Sequence, residues 1–405
     1  MLLIIQGTPF CNINCSYCYL PDRDRRDRLS IDTLHRIVSR LCEFVQTAPV
    51  DMSEPALRVN SVAASEVSVV WHAGEPLVLP ISFYRTAFAA FEPLRNLGLR
   101  VSHGFQTNGT LINDRWVSFF AEAQPNIGVS IDGPEEIHDL HRKYRNGMGS
   151  FQTCLAGISR LQAAGIPFHT ISVLTEPALR VPDRMFEFFL ERNLLDIGFN
   201  IEEIDGINQD SSLAGTEIAD LYGRFLRHFL RRNADAGFPI RLREAEHVAA
   251  LLLAGELPSN SQTQAGQIIS VDVSGNVSTF SPELLGLHNE QFADFIIGNV
   301  FTASLAEMLT GTVALSLGQE ISRGVANCQA TCDVFSFCKG GAPANKFCET
   351  GSFQASETMH CALTVKATLR ECIEVIYRSL AHQPPAHQQF PAGQNSNTGA
   401  APWAR

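Results

Sequence analysis

The first half of the chain alternates between two hydrophobic patterns. Short apolar runs of strand length fall at Leu2–Ile5, Val67–Trp71, Val101–Gln106, Ile127–Ile131, Phe168–Leu174 and Ile197–Ile201. Between them, apolar residues recur at helical spacing in Ile31–Val45, Ser82–Phe91, Asp114–Glu122, Phe151–Ala163 and Asp183–Glu191. A recurrence every three to four residues buries one face of a helix, whereas a short continuous run fits a strand covered on both sides. Ser30 and Ser150 are natural N-caps and Gly165 is a natural helix stop. Strict alternation of six strand units with helices predicts an α/β fold with a parallel sheet, open or curved into a partial barrel. In either form the chemistry belongs at the carboxyl ends of the strands.

This unit occupies residues 1–204, with an irregular insertion expected at 47–66. Residues 205–262 are mostly helical in pattern and read as a bridge. Residues 263–372 form a second unit, with strand signals around Ile268–Val277 followed by a cysteine-rich stretch. The segment 381–405, rich in Gln, Pro, Gly, Asn and Ala, is expected to be a disordered tail. At 405 residues, two or three domains are the prior.

Charge narrows the partners. With 31 Lys and Arg against 42 Asp and Glu, the net charge is −11. Such a chain is poorly suited to tracking a phosphate backbone or an anionic membrane, so neither nucleic acid nor membrane is an expected partner. A hydrophobic content of 45% with 18% charged residues excludes a largely disordered protein. No apolar run reaches the roughly 20 residues that span a bilayer. The N-terminal MLLIIQGTPFCN has no basic segment before its apolar run, unlike a signal peptide. A cytoplasmic protein is expected.

The cysteines carry the chemistry. Of eleven, three cluster as Cys11, Cys15 and Cys18, and five as Cys328, Cys332, Cys338, Cys348 and Cys361, leaving Cys42, Cys154 and Cys372 to read as small buried hydrophobes. Clustered thiols in a reducing compartment point to metal or redox chemistry. Cys11-x3-Cys15-x2-Cys18 follows the first strand directly. Three thiolates are one short of a structural zinc site, and they leave one iron of a 4Fe–4S cube without a protein ligand. By spacing alone the readings are an iron–sulfur site with an open position, zinc with a remote fourth ligand, or incidental thiols.

The motif and its position resemble the radical S-adenosylmethionine (SAM) enzymes, in which SAM chelates the open iron and is cleaved to a 5′-deoxyadenosyl radical. The resemblance continues at successive strand ends. Trp71-His-Ala73-Gly74-Glu75-Pro76 resembles the family's Gly-Gly-Glu turn that meets the methionyl amine, with Ala73 in place of the first glycine. Gln106-Thr-Asn108-Gly109 closes the third strand, and Ser130-Ile-Asp132-Gly133 the fourth, where the serine resembles a ribose contact. Arg142 matches the position that pairs with the SAM carboxylate, and Tyr17 that of an adenine contact. The resemblance thus implies SAM contacts at Tyr17, Gly74, Glu75, Asn108, Ser130 and Arg142. It also implies a partial (β/α)6 barrel.

The second cysteine group is similar to the SPASM extension of radical SAM enzymes that modify peptides. Cys328, Cys332, Cys338 and Cys361 fit one of its ligand sets, implying one auxiliary 4Fe–4S cluster, with Cys348 left over as an unused thiol or a ligand by exchange. The other auxiliary set looks absent, because Gly275-Asn-Val-Ser-Thr-Phe280 offers phenylalanine where that set needs cysteine. A zinc reading of the four thiolates stays open on chemistry alone.

Among such enzymes the chain most resembles the cyclophane-forming maturases paired with glycine-rich-repeat (Grr-type) precursor peptides. The carrying stretches are Thr8-Pro-Phe-Cys-Asn through Leu20-Pro-Asp, Val70 through Pro80, Phe199-Asn-Ile-Glu-Glu, and Gly340-Gly-Ala-Pro-Ala-Asn-Lys. This resemblance implies hydrogen abstraction from a peptide side chain, at a β-carbon, and carbon–carbon bonding to an aromatic ring. Restoring the ring releases one electron, for which the auxiliary cluster is the implied acceptor, and one proton, for which Asp272, Glu202 and Glu203 are candidate bases. The implied partners are a ribosomally made precursor peptide and a one-electron reductant of flavodoxin or ferredoxin type. No leader-binding domain is expected before the barrel. Two rivals remain: a formylglycine-forming anaerobic sulfatase maturase, and a non-enzymatic iron–sulfur or zinc protein.

Overall fold

The computed structural model describes residues 1–47, 66–254 and 259–381. The expected insertion and tail therefore lie outside the described residues, apart from their end positions. All six expected strands form: β1 (Leu2–Gln6), β2 (Glu66–His72), β3 (Arg100–Thr107), β4 (Asn126–Ser130), β5 (His169–Leu174) and β6 (Asp196–Ile201). They pair in parallel and in chain order, with Leu3 opposite Val69, Val69 opposite His103, Phe105 opposite Ile127, Val129 opposite Thr170 and Ile171 opposite Gly198. A two-residue β7 (Arg241–Leu242) follows β6 in parallel.

The sheet also grows from its other edge. β8 (Ile268–Val271) lies parallel to β1, and β9 (Asn276–Thr279) and β10 (Gly298–Asn299) continue it antiparallel, giving ten strands in the order β10-β9-β8-β1-β2-β3-β4-β5-β6-β7. The cysteine-rich region is thereby anchored to the strand that delivers the first cysteine loop.

The continuous apolar runs are explained by burial on both faces. Leu3, Ile5, Val69, Trp71 and Phe105 face the helices in one large core, while Ile4, Val70 and Ile268 alternate onto the inner face as a small separate cluster. Outside the sheet the rings are packed edge to face, Trp71 to Tyr84 at 5.2 Å and Tyr84 to Phe105 at 4.8 Å between centroids.

The expected helices appear as Ile31–Thr47, Ile81–Ala90, Asp114–Ala123, Phe151–Ala163 and Pro182–Glu191. Ser30 caps the first, its Oγ accepting from Thr33 N at 2.9 Å. Ser150 does not cap its helix. Its hydroxyl turns inward to Arg142 O at 2.8 Å and His138 Nε2 at 3.0 Å, and Asp139 Oδ1 instead accepts from Ser150 N and Phe151 N at 2.9 and 3.0 Å. Gly165 stops the helix with φ of 64°. In the bridge, helix Ile218–Asp235 packs Phe225 and Phe229 against Phe199 at 5.6 and 5.1 Å. Arg227 clamps the buried Glu371 of the C-terminal helix Thr368–Ala381 through two bonds of 2.6 and 2.9 Å. Among the described residues no helix is long and apolar enough to cross a membrane.

Candidate active site

The loop after β1 carries Cys11, Cys15 and Cys18 and is pinned from both sides. Cys11 N donates to Arg23 O at 3.0 Å, Asn14 N to Lys143 O at 2.6 Å and Ser16 N to His141 O at 3.2 Å. Arg23 Nη1 donates to Cys15 O at 2.8 Å. Cys15 is buried and its two companions are half-buried. Burial first, then Glu75 and the other two thiols, push Cys11 up to about 12; burial likewise takes Cys15 to about 11. Thiols held this way ionise only against a metal, which displaces the proton.

Among the described residues no three His, Cys, Asp or Glu side chains converge on a single ion. The three thiols nevertheless act on one another electrostatically, Cys15 and Cys18 raising Cys11, and Cys18 raising Cys15. Asn108 Nδ2 lies 3.7 Å from Cys11 Sγ and Arg142 Nη1 lies 3.9 Å from Cys15 Sγ, supplying the N–H donors that such sulfurs accept. The donor set fits an iron–sulfur cluster.

The turn closing β2 locks onto this loop. Glu75 N donates to Phe10 O at 2.9 Å. Gly74 has φ of 132°, and a Cβ there would lie 2.0 Å from Thr8 O, so only glycine permits the approach. Ala73 is held at φ of 66°, the left-handed conformation where the family has its first glycine. That conformation costs a residue with Cβ about 1–2 kcal/mol. Ala73→Gly is therefore expected to stabilise the fold by about 0.5–1 kcal/mol after glycine's greater unfolded freedom is subtracted, read as a rise in the denaturant midpoint.

Glu75 is fully enclosed. Oε1 accepts from Leu77 N at 3.0 Å and Thr107 Oγ1 at 2.7 Å, and Oε2 accepts from Asn108 N at 2.8 Å. Burial lifts its carboxyl to about 7 against these three bonds. A cationic amine at Oε2 would bring it back down.

At the end of β4, Asp132 holds two candidate ligand contacts together. Its Oδ2 accepts from Arg142 Nε at 2.9 Å and from the Tyr17 hydroxyl, and its Oδ1 accepts from Val173 N at 3.0 Å. The Arg142 guanidinium lies 5.5 Å above the Tyr17 ring. Nη1 lies on Cys15 Sγ, while Nη2 has no hydrogen-bond partner among the described residues and is free to meet a bound carboxylate. Ser130 Oγ accepts from Gln106 Nε2 at 2.9 Å, while Gln106 Oε1 is a buried acceptor without a donor among the described residues. A ligand hydroxyl would meet it. Asn108 Nδ2 also donates to Asn12 Oδ1 of the cysteine loop at 2.9 Å, while its Oδ1 accepts from Thr110 N at 3.0 Å within its own turn.

The three expected bases separate by environment. Asp272 shapes the β8–β9 turn, accepting from Ser274 N at 2.8 Å and from Asn276 N and Nδ2 at 2.9 and 2.8 Å. Glu202 ties the next loop through Ser212 N at 2.7 Å. Glu203 alone lines a cavity of about 290 Å³, with Phe199, His247, Phe337, Asn345 and His360. Asn345 Nδ2 donates to it at 3.2 Å, and burial raises its carboxyl to about 7. Glu283, which also lines the cavity, is raised chiefly by burial. So is Asp205, by burial and then by Glu283 and Glu203. Glu203 and Asp205 are near neighbours in the chain, whereas no spacing associates Glu283 with them in advance.

In the second cysteine group, helix Thr312–Thr331 carries Cys328 in its last turn, and its C-cap Cys332 donates N–H to Cys328 O at 2.9 Å. Burial first, then Cys338, push the Cys361 thiol up to about 12, with Cys332 also contributing, so these sulfurs share one neighbourhood. Cys348 points elsewhere, donating to Asp205 Oδ1 at 3.0 Å. Phe280, in the position where the other auxiliary set needs cysteine, is buried.

The fold is that of a radical SAM enzyme: residues 5–188 match the radical SAM superfamily, and the chain belongs to it. More particularly, it is 38% identical over 384 residues to the uncharacterized protein sll1766 of Synechocystis sp., covering 94% of this chain and 92% of that one. It is also 27% identical over 360 residues to the serine-type anaerobic sulfatase-maturating enzyme of Bacteroides thetaiotaomicron, covering 84% and 81%. Among solved structures, anSMEcpe with bound AdoMet has a TM-score of 0.72 at 20% identity, covering 94% and 95% of the two chains. SuiB of Streptococcus suis bound to its precursor peptide SuiA has 0.60 at 14%, covering 89% and 75%.

Proposed function

We propose that this enzyme matures a ribosomally made precursor peptide by forming a carbon–carbon cyclophane link between a side-chain β-carbon and an aromatic ring. The net change removes one hydrogen from each carbon. When bound at Cys11, Cys15 and Cys18, a 4Fe–4S cluster with an open iron supplies one-electron cleavage of SAM. Arg142 and Ser130 orient the SAM carboxylate and ribose, Glu75 its amine, and Tyr17 its adenine. Cys328, Cys332, Cys338 and Cys361 would hold the single auxiliary 4Fe–4S cluster, and a flavodoxin- or ferredoxin-type protein would serve as reductant. The solved relatives support a peptide substrate, since SuiB is bound to SuiA and anSMEcpe to Cp18Cys peptide.

The observation that favours the cyclophane reading over sulfatase maturation is the buried ring of Phe280, at the position where the resemblance implies a ligand of a second auxiliary cluster. The sulfatase-maturating relatives favour a second reading, oxidation of a serine to formylglycine. Both reactions remove two hydrogens, so peptide mass cannot separate them. Incubation with SAM, dithionite and a neighbouring encoded peptide bearing aromatic-x-x repeats should give a product inert to hydrazide. NMR should show the new bond from a β-carbon to the ring. A hydrazide-reactive aldehyde would establish the second reading instead.

Glu203 is the base this reading favours. Its carboxylate form fills as pH rises through about 7, so turnover should climb to a plateau above that pH. Glu203→Gln should lose that limb and about 10²–10⁴-fold in peptide turnover while SAM cleavage persists. An unchanged pH profile would assign the proton elsewhere.

A further inference from the structure

Lys346 lies in helix Pro343–Thr350 and is 5% exposed. Its ammonium donates to Cys328 Sγ at 3.1 Å and to Gly324 O at 3.2 Å. Among the described residues no carboxylate lies within ion-pair distance of it. An ammonium is costly to bury unless an anion meets it. A neutral thiol cannot fill that role; a thiolate bound to a metal can. Cys328 is itself 4% exposed, and among the described residues its sulfur's other hydrogen-bond contacts are Ser356 O at 3.6 Å and Gly340 O at 3.9 Å. The contrast with Lys366 is informative, since that residue is paired with Glu357 at 3.0 Å near the surface and has its anion already.

We propose that Lys346 is a positioning residue that raises the reduction potential of the auxiliary centre through a charged N–H···S hydrogen bond to Cys328. The inference rests on the reading of Cys328, Cys332, Cys338 and Cys361 as the ligands of a 4Fe–4S cluster. A cation donating to a ligand sulfur withdraws negative charge from the cluster, so an added electron is held more tightly. An auxiliary centre tuned upward is a better acceptor for an electron released by the peptide.

The test uses the full chain with Cys11, Cys15 and Cys18 all replaced by alanine, so that only the auxiliary centre loads. Lys346→Met removes both donor and charge at similar length, and Lys346→Gln keeps a donor without the charge. Iron is counted, and the midpoint potential is followed by anaerobic EPR titration. Four irons are expected in each protein. The one-electron reduction constant should fall at least tenfold in the Met variant, about 59 mV, and by less in the Gln variant. An unchanged potential in Lys346→Met with iron retained overturns the proposal. So does loss of iron in both variants, which would make Lys346 a structural prop. Absence of iron from the triple-alanine parent would remove the auxiliary reading itself, and the proposal with it.

Discussion

Cys15→Ala is expected to abolish 5′-deoxyadenosine formation, a loss well beyond the roughly 100-fold that losing a merely orienting residue costs. Cys15 is the buried member of the first trio, and it sits beneath Arg142 Nη1 at 3.9 Å. Its loss leaves two thiols, too few to hold a cube with one open iron. The loop itself should stay in place, because its anchors are backbone groups: Cys15 O to Arg23 at 2.8 Å and the neighbouring Asn14 N and Ser16 N to Lys143 O and His141 O. The variant is therefore expected to melt near wild type while failing to cleave SAM under dithionite. Persistent 5′-deoxyadenosine, measured by chromatography, would remove this loop from the chemistry.

The largest loss of stability is expected at Asp132. Asp132→Ala deletes the acceptor for Arg142 Nε at 2.9 Å, for the Tyr17 hydroxyl and for Val173 N at 3.0 Å. The ion pair is buried, with Asp132 at 2% and Arg142 at 8% side-chain exposure, so removal of one partner strands a charge in a low-dielectric site. The cost is about 3–5 kcal/mol. Denaturant unfolding should show it as a lowered midpoint with little change in slope. Asp132→Asn retains the shape and a hydrogen-bond acceptor and should lose less stability, yet still weaken SAM binding by freeing Arg142 from its fixed orientation. Wild-type stability in the alanine variant would mean that the pair is not held as described.

The strands, the two cysteine groups and the strand-end turns were legible in the sequence because each rests on local signals: continuous apolar runs, close thiol spacings, and glycines where backbones must approach. Gly74 shows this well, since its contact with Thr8 O leaves no room for any side chain. What was not legible depends on distant parts meeting. Ser150 has the right residue type for a cap, yet Asp139, on the preceding helix, takes the cap and frees Ser150 for Arg142. Asp132 stood in a recognised motif but showed its role only when Tyr17 and Arg142 converged on it. Glu283 comes to Glu203 and Asp205 through tertiary packing alone, and the burial of Lys346 against Cys328 shows only once the helix is placed. Asn108 follows the expected strand, and its Nδ2 reaches Asn12 of the cysteine loop, a contact no local signal announces.

The most direct test is anaerobic reconstitution with iron and sulfide, a count of both per chain, and an assay for 5′-deoxyadenosine after dithionite and SAM are added. The account predicts about eight irons, two cubes of four, together with 5′-deoxyadenosine. Zinc in place of iron, with SAM left intact, would contradict it.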